Sequence, residues 1–336
     1  MEMALLYERE IPNPDDFYVR DPAAAVVTWQ GRDALRLSGE GPSLVIVPDV
    51  LLPHGKIEVD IGAEGTAFPG IAFRICDTQN YELAYPQPHT SGKWDALQYD
   101  PVFHGSNTWQ LYHGEGAQKT AHVPIGTWFR LRLEFQNQQA TFQVGDQPPL
   151  RIGALAHGIR TGRAGLWTYK PAFFSNLRIW DDQPVFSSRS FPAMPEKPFP
   201  GTVPEWFLEG FGVVSCEPGG ILNLNRYLPV SVDTVRLVRR MEMLENGSLT
   251  FHVGFSDELS LQLDDQVIFT GLNIWKDTPD WSDRGYVSMD HAVSHTLSRG
   301  SHTVIATLKA KELFGFGMAL RIEGGPYRLR PAQLYG

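Results

Sequence analysis

The stretch Asn80–Gly114, NYELAYPQPHTSGKWDALQYDPVFHGSNTWQLYHG, holds four tyrosines, two tryptophans and three histidines among prolines and glycines. A buried Tyr, Trp or His needs a partner for its polar tip, so this density suits a surface that meets something both apolar and hydrogen-bonding. A sugar-like ligand has that character: its C–H face packs on a ring while its hydroxyls bond to amides, carboxylates and imidazoles. The expected ligand-binding residues are Tyr85, His89, Trp94, Asp95, Gln98, Tyr99, His104, Trp109, Tyr112 and His113, with Gln110 as a further polar partner. His89, His104 and His113, with Asp95, are of the types that hold zinc. Their spacing is long and no HxH or HxxxH pair fixes two of them together, so the expected role is hydrogen bonding, to a ligand or to the loop's own backbone. His113 is also a candidate acid or base for a small-molecule reaction. A second cluster, NIWKDTPDWSD, sets Asp277, Asp280 and Asp283 around Trp275 and Trp281. Its spacing is not that of an EF-hand loop, so a solvated loop packing two tryptophans on a neighbouring surface is expected, with calcium coordination as the alternative. No other cofactor is expected.

Strands must position these residues. Few segments sustain apolar residues at i, i+3, i+4 and i+7, and prolines interrupt those that do. Alternating or β-branched runs recur instead at Ala24–Trp29, Ser43–Val47, Lys56–Ile61, Gly70–Ile75, Tyr81–Tyr85, Trp109–Tyr112, Trp128–Phe135, Gln139–Val144 and Ala164–Thr168, separated by turn residues. Between Asp181 and Pro204 six prolines and no periodicity indicate an extended connector. Strand patterns resume at Ile221–Leu224, Val235–Arg239, Gly247–Phe255, Leu259–Leu263, Val267–Thr270, His302–Leu308 and Gly317–Ile322. The expectation is an all-β chain of two β-sandwich, jelly-roll domains: 1–188, a proline-rich connector at 189–203, and 204–336.

With 38 carboxylates against 29 Lys and Arg, the net charge is −9, and no basic run exists to track a phosphate backbone. Nucleic acid is therefore not an expected partner. No apolar stretch has the length of a membrane span and the N-terminus lacks a signal-peptide pattern, so a cytoplasmic, membrane-free protein is expected. Cys76 and Cys216 fall in different candidate domains and are expected to be reduced, partly buried thiols. The oligomeric state is left open.

The ordered strings GKIEVDI (Gly55–Ile61), GIAFRICDTQNYEL (Gly70–Leu83), GTWFRLRLEF (Gly126–Phe135), GRAGLWT (Gly162–Thr168) and FFSNLRIW (Phe173–Trp180) resemble successive strands of the concanavalin A-like, laminin-G-like jelly-roll superfamily. VGFSDELSLQLDDQVIFTG (Val253–Gly271), SRGSHTVIATL (Ser298–Leu308) and FGFGMALRI (Phe314–Ile322) resemble the galactose-binding-like jelly roll. There the first string is a hairpin tipped by Asp264 and Asp265, which are expected to be turn residues. The first resemblance brings one catalytic motif into view. Jelly-roll β-glucanases carry Glu-x-Asp-x-Glu on a strand, and Glu58 and Asp60 share a strand face here, while Glu64 sits at a spacing that family does not use. Retaining hydrolysis needs two carboxyl groups about 5–5.5 Å apart across the glycosidic bond. The simpler reading puts Ile57, Val59 and Ile61 in the core and Lys56, Glu58 and Asp60 in water. Binding of a carbohydrate or another polyhydroxylated small molecule is the leading expectation. An enzyme using Glu58 and Asp60, or a histidine of the aromatic stretch, is the alternative; a structural interaction protein, with that stretch buried against the Trp275–Trp281 loop, is the third.

Overall fold

In the computed structural model, residues 4–19, 21–38, 41–186, 191–192, 199–276 and 284–333 are described. No α-helix occurs among them, so the all-β expectation holds, and no helix is long and apolar enough to cross a membrane. The chain forms two compact units, Met1–Val102 with Tyr112–Ala193, and Phe103–Leu111 with Met194–Gly336. The main division thus falls inside the proline-rich stretch, and nine residues of the aromatic stretch belong to the second unit.

The first unit is two sheets over one core. The larger contains β1 (Ala4–Arg9), β3 (Ala25–Trp29), β4 (Arg32–Leu37), β6 (Gly55–Gly62), β11 (Phe129–Gln136), β12 (Gln139–Val144), β13 (Leu150–Ile152) and β15 (Ala172–Asp181). Its order is β13-β12-β11-β6-β15-β4-β3, with β1 also paired to β15. The other contains β2 (Tyr18–Val19), β5 (Ser43–Ile46), β7 (Gly70–Asp77), β8 (Asn80–Pro86), β9 (Leu97–Tyr99), β10 (Gln118–Lys119) and β14 (Arg163–Thr168), in the order β10-β9-β8-β7-β14-β5-β2. Strict alternation in β11 turns Phe129, Leu131, Leu133 and Phe135 inward and Arg130, Arg132 and Glu134 outward, the period-2 consequence of a pleated strand with one wet face. Ile57, Val59 and Ile61 of β6 meet them in the core with Ile71 and Phe73 of β7. The smaller sheet is apolar on its other face too, where Leu44, Ile46, Ala72, Leu83, Tyr85 and Trp167 form a second buried cluster.

The second unit packs β16 (Glu205–Leu208), β17 (Gly212–Ser215), β19 (Thr234–Met243), β21 (Asp257–Leu263), β22 (Gln266–Asn273), β24 (Gly300–Lys309) and β26 (Tyr327–Leu329) in one sheet. β18 (Ile221–Asn223), β20 (Gly247–Phe255), β23 (His291–Leu297) and β25 (Gly317–Gly324) form the other, and residues of both sheets share one core. Asp264 is at the β21–β22 turn with φ +53°, as its turn reading requires, and its carboxylate also accepts from Thr303 N (2.8 Å) and lies 2.8 Å from His302 Nδ1.

One strand expectation is corrected. Residues Trp109–Tyr112 form a turn, closed by Leu111 N donating to Thr108 O (2.9 Å), because the chain there leaves one core for another. Cys76 is also exposed rather than partly buried, since β7 runs out of cover at its end. Cys216 is half-buried, and burial pushes its thiol up to about 12.

Candidate functional site

The expected ligand-binding residues fall into separate groups, and the polar tips of Tyr85, Tyr99 and His104 bond within the protein. Tyr99 on β9 is buried; its hydroxyl donates to Glu82 Oε2 (2.6 Å) and accepts from Ala156 N (2.7 Å), while Glu82 Oε1 accepts from His157 N (2.9 Å). Burial raises both the Glu82 carboxyl and the Tyr99 phenol above their ordinary values. Gln98 beside it donates to Tyr112 O (2.9 Å), and the half-buried Tyr112 sets its ring edge against Tyr99 at 5.8 Å. Tyr85 donates to Asp100 Oδ2 (3.1 Å) and stacks on Trp167 at 5.6 Å. His89 touches the same cluster through Phe68, 4.9 Å between ring centroids. Asp95 is buried, its backbone carbonyl accepting from Gln87 Nε2 (2.7 Å); Trp94 and His113 are half-buried.

His104 and Trp109 sit in the second unit. His104 Nδ1 donates to Asn225 O (2.7 Å), and Trp109 lies 5.6 Å from Tyr286 and 5.4 Å from Phe314. Gln110, fully buried, donates through Nε2 to Arg284 O (3.1 Å) and Glu312 Oε2 (3.0 Å), its N–H donates to Phe314 O (3.0 Å), and its carbonyl accepts from Val287 N (3.0 Å). Glu312 Oε2 also accepts from Trp275 N (2.8 Å), so Trp275 and this segment share one carboxylate. The zinc grouping is not formed: among the described residues, no three His, Cys, Asp or Glu side chains could hold a metal ion. The calcium candidates Asp277, Asp280 and Asp283 lie outside the described residues.

Glu58 and Asp60 do share the outward face of β6, but each is part of a charge ladder. Glu58 pairs with Arg132 (2.8 Å) and Lys56 (2.9 Å), and Asp60 with Arg130 (2.8 Å) and Arg32 (2.9 Å), while Asn176 Nδ2 also donates to Asp60 (2.6 Å). Burial raises both carboxyls, yet these cations and hydrogen bonds outweigh it and hold both below the ordinary carboxylate range. Glycoside hydrolysis needs one of its two acids protonated, and a pair held ionised on both members is poorly matched to that task. Glu64 accepts from Trp29 Nε1 (2.9 Å), and Trp29 lies over Gly62, where a Cβ would come within 2.1 Å of its ring.

A cavity of about 360 Å³ opens in the first unit at the edge strands β10 and β13 of its two sheets. Glu115, Lys119 and Arg151 line it beside Phe191 and the rings of Pro148, Pro149 and Pro192. Its wall is fixed from behind. Gln118 donates to Gln98 Oε1 (2.7 Å) and accepts from Gly114 N (2.7 Å), and Tyr99 N donates to Ala117 O (2.7 Å). Arg151 holds its guanidinium 5.8 Å from the centre of the Phe191 ring. None of the lining side chains is in the expected set. Pro148-Pro149 reads as a turn and Phe191 as part of a connector, so no local pattern joins them; only the pairing of β9 with β10 and of β12 with β13 does.

No protein-family model matches this chain, and no curated protein does. Among solved structures, it is similar to the carbohydrate-binding module CBM66 from Bacillus subtilis, at 16% identity and TM-score 0.39, over 48% of this chain and 93% of that one. It is also similar to a Bacillus subtilis protein of unknown function with a galectin-like fold, at 12% identity and TM-score 0.42, over 54% and 97% of the two chains. A Parabacteroides distasonis protein provisionally named a glycosyl hydrolase is similar at 10% identity and TM-score 0.35, over 51% and 90% of the two chains.

Proposed function

We propose that the first unit binds a hydroxyl-rich, sugar-sized ligand in the cavity at β10 and β13. The observation that carries this reading is the cavity itself: about 360 Å³, within the range of small-molecule sites, with three charged side chains facing phenyl and proline rings. Such a wall offers hydrogen bonds to hydroxyls and flat apolar faces to the C–H side of a sugar ring. The aromatic stretch serves this site indirectly. Gln98 and Tyr99 hold the strand carrying Gln118 and Lys119, so they position the wall without touching the ligand.

Titration calorimetry with a panel of neutral and acidic monosaccharides tests this. Phe191→Ala is expected to weaken the best binder at least about tenfold, because it removes the ring on which the ligand packs. Unchanged affinity in Phe191→Ala, or no binding across the panel by the wild type, counts against the reading.

A further inference from the structure

On the reading that this cavity holds a sugar, we infer that the sugar is an anion, a carboxylated ring such as a uronate. Lys119 and Arg151 both line the cavity, each is half-buried, and neither forms an ion pair within 4.0 Å among the described residues. Carboxylates are not in short supply, since the chain carries 38 of them against 29 cations. On the outward face of β6 and its neighbours, four half-buried cations are neutralised, Lys56 and Arg132 by Glu58 and Arg32 and Arg130 by Asp60. The buried Arg74, by contrast, is satisfied by backbone carbonyls of Pro53, Asn137 and Gly158. Lys119 and Arg151 differ in facing a cavity. Two cations drawn partly out of water, with no carboxylate within 4.0 Å of either among the described residues, carry a desolvation cost that a bound anion offsets.

The chemistry of the pair selects a carboxylate on a ring. A guanidinium presents parallel N–H donors that match a carboxylate's two oxygens, and the Phe191 face beside Arg151 limits the planes that group can adopt. Lys119 adds a point charge with rotatable donors, suited equally to a carboxylate oxygen or to a neighbouring hydroxyl. Glu115 lines the same cavity and accepts from hydroxyls, which a simple inorganic anion lacks.

The test is calorimetry on the full chain with matched pairs, D-glucuronate against D-glucose and D-galacturonate against D-galactose, together with acetate and inorganic phosphate. The expected result is at least about tenfold tighter binding of a uronate than of its neutral partner, weakening with added salt. Lys119→Gln and Arg151→Gln should each abolish most of that preference while leaving the thermal unfolding midpoint in place. Equal binding of neutral and acidic partners, with both variants unaffected, overturns the anion inference and leaves the sugar cavity standing. Acetate or phosphate binding as tightly as the uronates overturns the sugar reading and keeps an anion site. No binding of any probe to a folded protein overturns both.

Discussion

At the scale of single residues, the aromatic stretch obeys the rule that buried polar tips find partners, but the partners are internal. Tyr99 is satisfied by Glu82 and Ala156, and Tyr85 by Asp100. Tyr99→Phe leaves a buried carboxylate oxygen and an amide N–H without that hydroxyl, so it should cost about 1–3 kcal/mol in urea unfolding. A loss near zero would show that Glu82 and Ala156 find other partners. The need for such bonds was legible from the residue types. Their destinations were not, because Glu82 meets Tyr99 only through the pairing of β8 with β9, and nothing in the local string fixes that register. Asp257 shows the same limit in the second unit. It looks like an ordinary strand-edge acid in SDELSL, yet it is fully buried with φ +65°, accepting from Lys311 N (2.7 Å) and Glu312 N (2.9 Å). Burial pushes its carboxyl from 3.8 up to about 6.

At the scale of elements, strands with one wet face were readable because alternation survives in them: β11 and β12 follow their pattern residue by residue. Elements of two to four residues, such as β9, β10, β13, β16 and β17, are too short to show a period, and four of the cavity's wall residues lie on two of them, Gln118 and Lys119 on β10 and Leu150 and Arg151 on β13. The strand expected at Trp109–Tyr112 is a turn because the segment Phe103–Leu111 belongs to a different unit from the residues on either side of it. Gln110 is its anchor, bonded through side chain and backbone to Arg284, Val287, Glu312 and Phe314. Gln110→Ala should therefore raise amide exchange around 284–287 and 312–317 and leave β6 and β11 protected, as read by hydrogen exchange with mass spectrometry. Uniform protection in the variant would contradict an anchoring role. Gly285, with φ +74° and Gln110 Nε2 within 2.4 Å of where a Cβ would stand, marks how closely that loop approaches.

At the scale of the whole molecule, acids shifted in opposite directions act at opposite ends of the pH range. Glu58 and Asp60, held below their ordinary values, contribute stability that is present above 4.5 and 3.8 and is lost as pH falls through their lowered values. Asp257, raised, contributes stability that is present below 3.8 and is lost as pH rises through about 6. Urea midpoints of the wild type and Asp257→Asn between pH of about 4 and about 7 separate the two. The variant should lose the decline on the way up, whereas an unchanged slope would assign it to another group. The excess of acid over base, 38 against 29, sets Lys119 and Arg151, which have no ion pair among the described residues, in a field that is negative on average.

The location of binding is what distinguishes this account from one in which the aromatic stretch itself is the recognition surface. Amide shift mapping by transverse-relaxation-optimised NMR, on the full chain titrated with D-glucuronate and D-galacturonate, reads that location directly. Shifts concentrated at Gln118, Lys119, Leu150, Arg151 and Phe191 are expected. Shifts concentrated at Tyr85, His89, Trp94 and their neighbours, with the β10 and β13 amides unmoved, would contradict the assignment of the site to the cavity.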